Sequence, residues 1–333
     1  MYYDSFFCVK VVKDEENFNQ EKTKTLRKKI VRMKKVKGWI VFNGHITATK
    51  FTELFEWLQD TAISKGIDVS LVKHYELIPV IEKGQAILKG KFANEKPDFV
   101  IFWDKDVHLA RHLENMGLKL YNSARTIEVC DDKALTFQAL SNFNIPMPKT
   151  ITAPLLFPNC DLTNYDFYDE VIQELGFPLI IKESFGSFGR QVYLVENRED
   201  FFKKVDELKH KPHIYQEFIE SSRGTDIRIQ VVGKQVVTAV LRKSESDFRA
   251  NVTNGGKMYK YEPTEEQINL ALKCSEILGA DFAGIDLLFG EDGKTYICEV
   301  NSNAHFKNIY LCTDVDTTRY IIDYIIKDLE KNV

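Results

Sequence analysis

No two of the chain's six cysteines form a C-x-x-C pair, which removes the usual spacing of a zinc site and of a disulfide framework. Cys8, Cys130, Cys160, Cys274, Cys298 and Cys312 are scattered and expected to be reduced. No apolar run approaches the roughly 18 residues of a membrane span. The first residues, "MYYDSFFCVKVVKDEE", lack a basic segment followed by an apolar core and a cleavage site, so a cytoplasmic protein without membrane association is expected. His108 and His112 stand at i, i+4, but the Glu of H-E-x-x-H is missing, so they read as surface or packing residues. Neither G-x-x-x-x-G-K-[ST] nor G-x-S-x-G occurs, and no internal repeat or low-complexity tract is found. A net charge of -4 argues against a general nucleic-acid binder. What remains, at 333 residues with 44% apolar and 28% charged, is a soluble globular chain of two or three domains.

Local charge concentrates in "EKTKTLRKKIVRMKKVKG", read as a basic arm over 1–37 that either lies solvated on the body or meets an anionic partner. From Gly38 the text reads strand (Trp39 to Phe42), helix (about Thr49 to Lys65), strand (Asp68 to Val72). "KPDFVIFWDKDVHLARHLENMGLKLYN" repeats that rhythm, which implies a parallel sheet covered on both faces over 38–125. From about 126 the texture changes. A short helix containing Lys133 precedes a Pro-punctuated strand near Lys149 to Thr152, and strands then dominate. The helix "TEEQINLALKCSEILG" has Thr264 as N-cap and Gln267 at the capping-box position.

That helix leads into "FAGIDLLFGEDGKTYICEVNSN", two apolar runs around Asp292-Gly293. A tight turn there pairs Glu291 with Lys294 and sets Asp286 opposite Glu299, with Asn301 on the same face. Like charges facing each other repel unless a cation lies between them, and three oxygen-bearing side chains suit a hard cation such as magnesium. The other reading is an exposed edge with solvated acids. Upstream, "IIKESFGSFGR" ends a strand on Lys182 and continues through Ser184, Gly186, Ser187 and Gly189. Small residues let backbone N–H groups approach phosphate while the lysine supplies charge, although a plain hairpin turn fits too. "IYQEFIE" can be an edge strand or a wall for a flat base, with Glu217, Phe218 and Ile219 at its end. "GTDIRIQVV" alternates strictly, with Asp226, Arg228 and Gln230 on one face. In "LRKSESDFRANVTNGGK", Arg242, Arg249 and Asn251 suit an oxyanion or phosphate. With a two-residue turn at Gly233-Lys234, Arg242 faces away from Asp226 and Arg228 unless a bulge or longer loop intervenes.

Taken in order, Lys133, Lys182 with its glycine loop, "QEFI", "GTDIR", "DFRAN", "AGIDLL" and "CEVN" resemble the ATP-grasp superfamily, most closely the RimK-like ligases. The resemblance covers about 126–330, and residues 38–125 are similar to the Rossmann-like domain that precedes it. It implies a mixed α/β and α+β fold: a Rossmann-like domain, then a two-subdomain ATP-grasp unit over 126–333, with a lid at about 150–215 and a C-terminal part from 216. It implies that Lys133, Lys182, Arg249 and Asn251 hold the ATP phosphates under a lid loop Ser184 to Gly189. Glu217, Phe218 and Ile219 would border the adenine, and Asp226 would sit near the ribose or triphosphate. Asp286, Glu299 and Asn301 would coordinate magnesium, two ions in all, with manganese as a substitute. Arg242, with Arg249, would serve the oxyanion or acyl phosphate.

The implied reaction is ligation of an acid to an amine, ATP phosphorylating the carboxylate before the amine attacks. The expected partners are ATP and carboxylate- and amine-bearing substrates: an amino acid such as glutamate joined to a small molecule, peptide or protein. A homo-oligomer is compatible with the sequence. A peptide-macrocyclising ligase, a phosphotransferase and a non-catalytic nucleotide-binding module share the fold. After E-V-N the family carries a Pro-Gly turn, whereas this chain has "SNAHFKNIY". His305 and Lys307 fall where that segment approaches the acceptor, and with Arg228 they are the candidate substrate contacts.

Overall fold

The computed structural model describes residues 36–331 apart from 188 and 253–254, so the expected basic arm lies outside the described residues. Strand β1 (Lys37–Phe42), helix α1 (Thr49–Ser64) and strand β2 (Asp68–Lys73) follow the expected order. The hairpin β3 (Leu77–Glu82) and β4 (Gln85–Gly90), turning at Lys83-Gly84, is an addition to it. Strand β5 (Phe99–Trp103), helix α2 (Val107–Asn115) and strand β6 (Leu120–Tyr121) complete a parallel sheet of order β2-β1-β5-β6. All of β5 is buried, as a strand covered on both faces must be. His112 is 9% exposed and its Nε2 contacts the Ile87 carbonyl at 2.8 Å, a packing role.

Helix α3 (Ala124–Asp131) leads to α4 (Lys133–Leu140). Asp132 caps α4 by accepting from the Ala134 and Leu135 N–H groups at 2.8 and 3.3 Å, which fixes Lys133 at the first helical position. Next come β7 (Thr150–Thr152), α5 (Asp166–Leu175), β8 (Leu179–Glu183), β9 (Val192–Val195), α6 (Arg198–Leu208) and β10 (His213–Glu217). Their strands form an antiparallel sheet of order β7-β10-β8-β9. The segment "HIYQE", expected as a possible edge strand, is therefore internal. Its apolar run is explained by Ile214 and Tyr215, both fully buried.

The last sheet has the order β13-β12-β11-β14-β15 and is antiparallel throughout. It comprises β11 (Thr225–Val232), β12 (Gln235–Lys243), β13 (Lys257–Lys260), β14 (Phe282–Phe289) and β15 (Thr295–Asn301). Helix α7 (Glu265–Leu278) has the expected capping box between Thr264 and Gln267. It covers one face of the sheet, where Ile227, Ile229, Ile285, Leu287 and Ile297 pack with Ala271, Cys274 and Leu278. Each such buried Ile or Leu contributes about 1.5–3 kcal/mol. Burying that face leaves the polar face of β11 pointing the other way. Helices α8 (Lys307–Thr313) and α9 (Thr317–Lys331) close the chain. Ile321, Ile322 and Ile325 of α9 share a core with Leu54 and Leu58 of α1 and with β1, so the C-terminal helix seals the parallel sheet.

Two bulges decide which residues face which. In β11–β12, Val232 pairs with Gln235 across the Gly233-Lys234 turn, and a bulge after Val236 then sets Asp226 opposite Arg242. In β14–β15 the connection is three residues, Glu291–Gly293, closed by the Gly290 N–H donating to the Lys294 carbonyl at 2.7 Å. The expected pair of Glu291 with Lys294 survives as one turn bond, the Lys294 N–H donating to the Glu291 carbonyl at 3.2 Å, and not as a rung of the strand ladder. A bulge at Cys298 restores the shift, and Asp286 does lie opposite Glu299.

Candidate active site

The polar face of the last sheet, the inner end of β8 and β10, and helix α4 enclose a cleft of about 830 Å³, mouth included. Lys133, Lys182, Gly186, Ser187, Gly189, Glu217, Phe218, Ile219, Asp226, Arg242, Arg249, Asn251, Asp286 and Glu299 all line it. Ser184 does not. It is 1% exposed, and its carbonyl accepts from the Lys133 N–H at 3.0 Å, so it anchors the lysine beneath the cleft. Arg228, Asn301, His305 and Lys307 are not among the lining residues either.

Two lysines dominate one end. Lys182 is 6% exposed, and its Nζ meets the Cys298 sulfur at 3.8 Å. Lys133 is 7% exposed, with Glu299 Oε1 at 3.9 Å, beyond hydrogen-bond length. A buried ammonium without a close carboxylate is costly, so the pair is prepared for an anion. Burial pushes the Cys298 thiol up to about 11 against the pull of Lys182, which keeps it neutral. The bulge accounts for its presence, because it turns both Cys298 and Glu299 into the cleft.

Beside the lysines runs a ladder of ion pairs across three strands. Arg242 donates from Nε and Nη2 to Asp226 at 2.5 and 2.6 Å, and from Nη2 to Asp286 at 2.9 Å. Arg228 donates from Nε and Nη2 to Asp286, both at 2.6 Å. Burial pushes the Asp286 carboxyl up, but Arg228 and Arg242 outweigh it and hold it below its ordinary value. Burial pushes Asp226 up with only Arg242 and the more distant Arg228 opposing, and Asp286 adds to the rise. Burial works against the charge on Arg242, yet the two aspartates more than offset it and raise its pKa. Arg242 thus meets Asp226 through the bulge.

The glycine loop is tied to the opposite wall. Arg249 donates from Nε and Nη2 to Asp247 at 2.9 and 2.7 Å and from Nη1 to the Gly189 carbonyl. Gly189 has a φ of +71°, so the backbone favours glycine there, and a Cβ would stand 2.8 Å from Asn251 Oδ1 and displace that side chain. Further lining residues escaped the sequence reading: Ile180, Val192, Phe248 and Leu288 form apolar wall, and Gln191 and Gln216 are polar. Gln216 stands inside the "QEFI" motif, Phe248 inside "DFRAN", Leu288 at the end of "AGIDLL", Ile180 at the start of "IIKESFGSFGR" and Gln191 two positions past Gly189, so motif membership was the available signal.

The candidate substrate residues are engaged elsewhere. Lys307 is ion-paired with Glu53 of α1, and the His305 ring meets Phe51 at 4.8 Å. Asn301 Nδ2 is buried without a partner among the described residues. Among the described residues no three His, Cys, Asp or Glu side chains converge as a metal site, and no helix is long and apolar enough to cross a membrane.

Residues 130–325 match the RimK-like ATP-grasp domain, and the chain belongs to that family. It is 34% identical over 226 residues to N-acetylaspartylglutamate synthase A of Homo sapiens, covering 66% of this chain and 56% of that protein. It therefore spans little more than half the human relative's length. Over 287 residues it is 30% identical to beta-citrylglutamate synthase B of Mus musculus, covering 82% of this chain and 72% of that protein. The D-alanine–D-alanine ligase of Bacillus anthracis complexed with ATP shares the fold. Its TM-score is 0.65 at 17% identity, covering 89% of this chain and 99% of that one.

Proposed function

We propose that this chain is an ATP-dependent ligase that joins a carboxylate to an amine, forming an amide by way of an acyl phosphate and releasing ADP and phosphate. The observation that carries the reading is the pair of buried lysines, Lys133 and Lys182, with no carboxylate within hydrogen-bond distance among the described residues, in a cleft lined also by a small-residue loop, by Arg242 and Arg249, and by Asp226, Asp286 and Glu299. The lysines and the backbone N–H groups of Gly186 and Gly189 hold the triphosphate, while the Ser187 N–H donates to Gln191 Oε1 at 3.2 Å. Ile180, Val192, Phe218 and Leu288 flank the base. Arg242 steadies the growing oxyanion, since its Nε and Nη2 are committed to aspartates and Nη1 is left to donate among the described residues. Arg249 couples closure of the glycine loop to the phosphates through Gly189.

The donor set fits magnesium: Glu299 has its nearest paired cation 3.9 Å away, and Asp286 Oδ1 accepts one arginine bond and keeps a lone pair, whereas Oδ2 already accepts two. Asp286, Glu299 and the Asn301 amide would hold the ion, whose contribution is to neutralise charge on the phosphates. No side-chain nucleophile is needed, and the neutral Cys298 agrees with that. The names of the relatives supply the first acids and the amine to try: N-acetylaspartate or citrate with glutamate. The test is phosphate release over a matrix of acids and amines with mass spectrometry of products. A ligase releases phosphate only with both substrates present. Phosphate retained on one acceptor would show a phosphotransferase instead, and Glu299→Gln at full activity would remove the metal assignment.

A further inference from the structure

A second polar cluster lies at the carboxyl ends of the parallel sheet, where ligands of open α/β sheets bind. Its order β2-β1-β5-β6 places the switch point between β1 and β5, and Asp104 is the residue immediately past β5. Asp104 Oδ1 accepts from the Lys105 N–H at 2.6 Å, whereas Oδ2 is buried with no partner among the described residues. Asn303 donates from Nδ2 to the Asp104 carbonyl at 2.9 Å, which fixes the amide's orientation. Its Oδ1 is then also buried with no partner among the described residues.

Both atoms are acceptors, so a group bound by them would be a donor. The adjacent cation, Lys105, is engaged with Asp131 and with Ser187 Oγ at 3.2 Å and does not satisfy Asp104. That engagement also places the cluster beside the glycine loop of the cleft. Asn303 follows Asn301 by two residues, on the same segment that departs from the family's pattern. Burial pushes the Asp104 carboxyl up, with the Lys105 and Asp106 backbone N–H groups and His74 pulling it down and the Asp106 charge adding to the rise, so a bound cation would relieve it. A carboxylate here repels an acid substrate, while a primary ammonium brings a positive charge and three donors.

We propose that Asp104 Oδ2 and Asn303 Oδ1 bind the amino group of the amine substrate. This rests on the ligase reading above. The experiment pairs two nucleophiles, L-glutamate and hydroxylamine, with ATP and citrate or N-acetylaspartate. Hydroxylamine traps the acyl phosphate as a hydroxamate and, being small and neutral, does not need the subsite. Asp104→Asn, which replaces an acceptor with a donor, raises the KM for glutamate about tenfold or more. It leaves the KM for ATP and the hydroxamate rate within about twofold of wild type. Asn303→Leu, which keeps the carboxylate, does the same and guards against a folding defect in the first variant. Hydroxamate formation with an unchanged glutamate KM in both variants overturns the subsite and leaves the ligase reading standing. Wild type that forms no hydroxamate with any acid overturns that reading, and the subsite falls with it.

Discussion

Replacing Asp286 with Asn separates what that carboxylate does for the fold from what it does for the reaction. Its side chain is 3% exposed and accepts both 2.6 Å bonds of Arg228. Arg242 would keep its bidentate pairing with Asp226, but Arg228, 14% exposed, would lose its charged partner. Breaking a buried ion pair from one side costs about 3–5 kcal/mol, because the remaining charge stays desolvated. Asn keeps the volume and one acceptor, so Asp286→Asn should cost about 3 kcal/mol, roughly two orders of magnitude in the folding equilibrium. The double variant Asp286→Asn with Arg228→Met removes the orphaned charge and should return to within about 1 kcal/mol of wild type. Urea titration followed by circular dichroism measures both, and phosphate release in the presence of acid and amine measures turnover. Turnover should be lost in both variants, because stability returns without the carboxylate. A single-variant cost under about 1 kcal/mol, or a double variant no more stable than the single, would refute the assignment of Arg228 to Asp286.

Other outcomes follow from the same geometry. Lys182→Met should raise the KM for ATP about tenfold or more while leaving stability unchanged or higher, since it removes a buried cation with no close carboxylate; an unchanged KM counts against the phosphate role. Lys307→Ala breaks the pair with Glu53, which is partly exposed, so stability should change by less than about 1 kcal/mol. If Lys307 also reaches the substrate, the acid or amine KM rises with ATP binding unchanged, and constant KM values for both refute that contact. Burial pushes Asp281 up to about 6 from an ordinary 3.8, with the Tyr324 hydroxyl donating to it at 2.7 Å. The folded chain therefore binds the extra proton between about pH 4 and 6, and this group's contribution to stability falls as pH rises through that window. Asp281→Asn should flatten that slope and raise stability at pH 7 by about 1–3 kcal/mol; an unchanged slope in pH-dependent urea titrations would count against it.

The site was legible largely because its residues sit on strands, where a period of two carries side-chain direction directly. Asp226 and Arg228 were placed on one face by alternation alone, and the sheet keeps them there. Asp286 and Glu299 were expected to be opposed, and they are, although through two compensating departures: a three-residue connection in place of two, and a bulge at Cys298. Arg242 needed the bulge that β12 supplies. Such bulges have no composition signal in a single sequence, which is why Cys298 reads there only as one of six scattered, reduced cysteines and its place in the cleft does not show. The strand β10 was harder, because an apolar run reads the same at an edge and in the interior until its neighbours are known. The hairpin at Leu77–Gly90 was missed despite its Lys83-Gly84 turn, since only Leu77 and Leu88 are buried and the run lacks strong alternation. The contacts of Lys307 and Asp104 join distant segments, and no local pattern encodes those.

The ladder of Arg242, Asp226, Arg228 and Asp286 also bears on how the chain reaches its folded state. Its members come from β12, β11 and β14, and β14 arrives in sequence only after β13 and α7. A slip of one residue in any of these strands would turn a charge into the apolar layer against α7 and leave its partner unmatched. Wrong pairings formed early are thereby penalised far more heavily than in a sheet held by apolar contacts alone. The same four charges that shape the cleft act as a proofreading device for the assembly of the sheet.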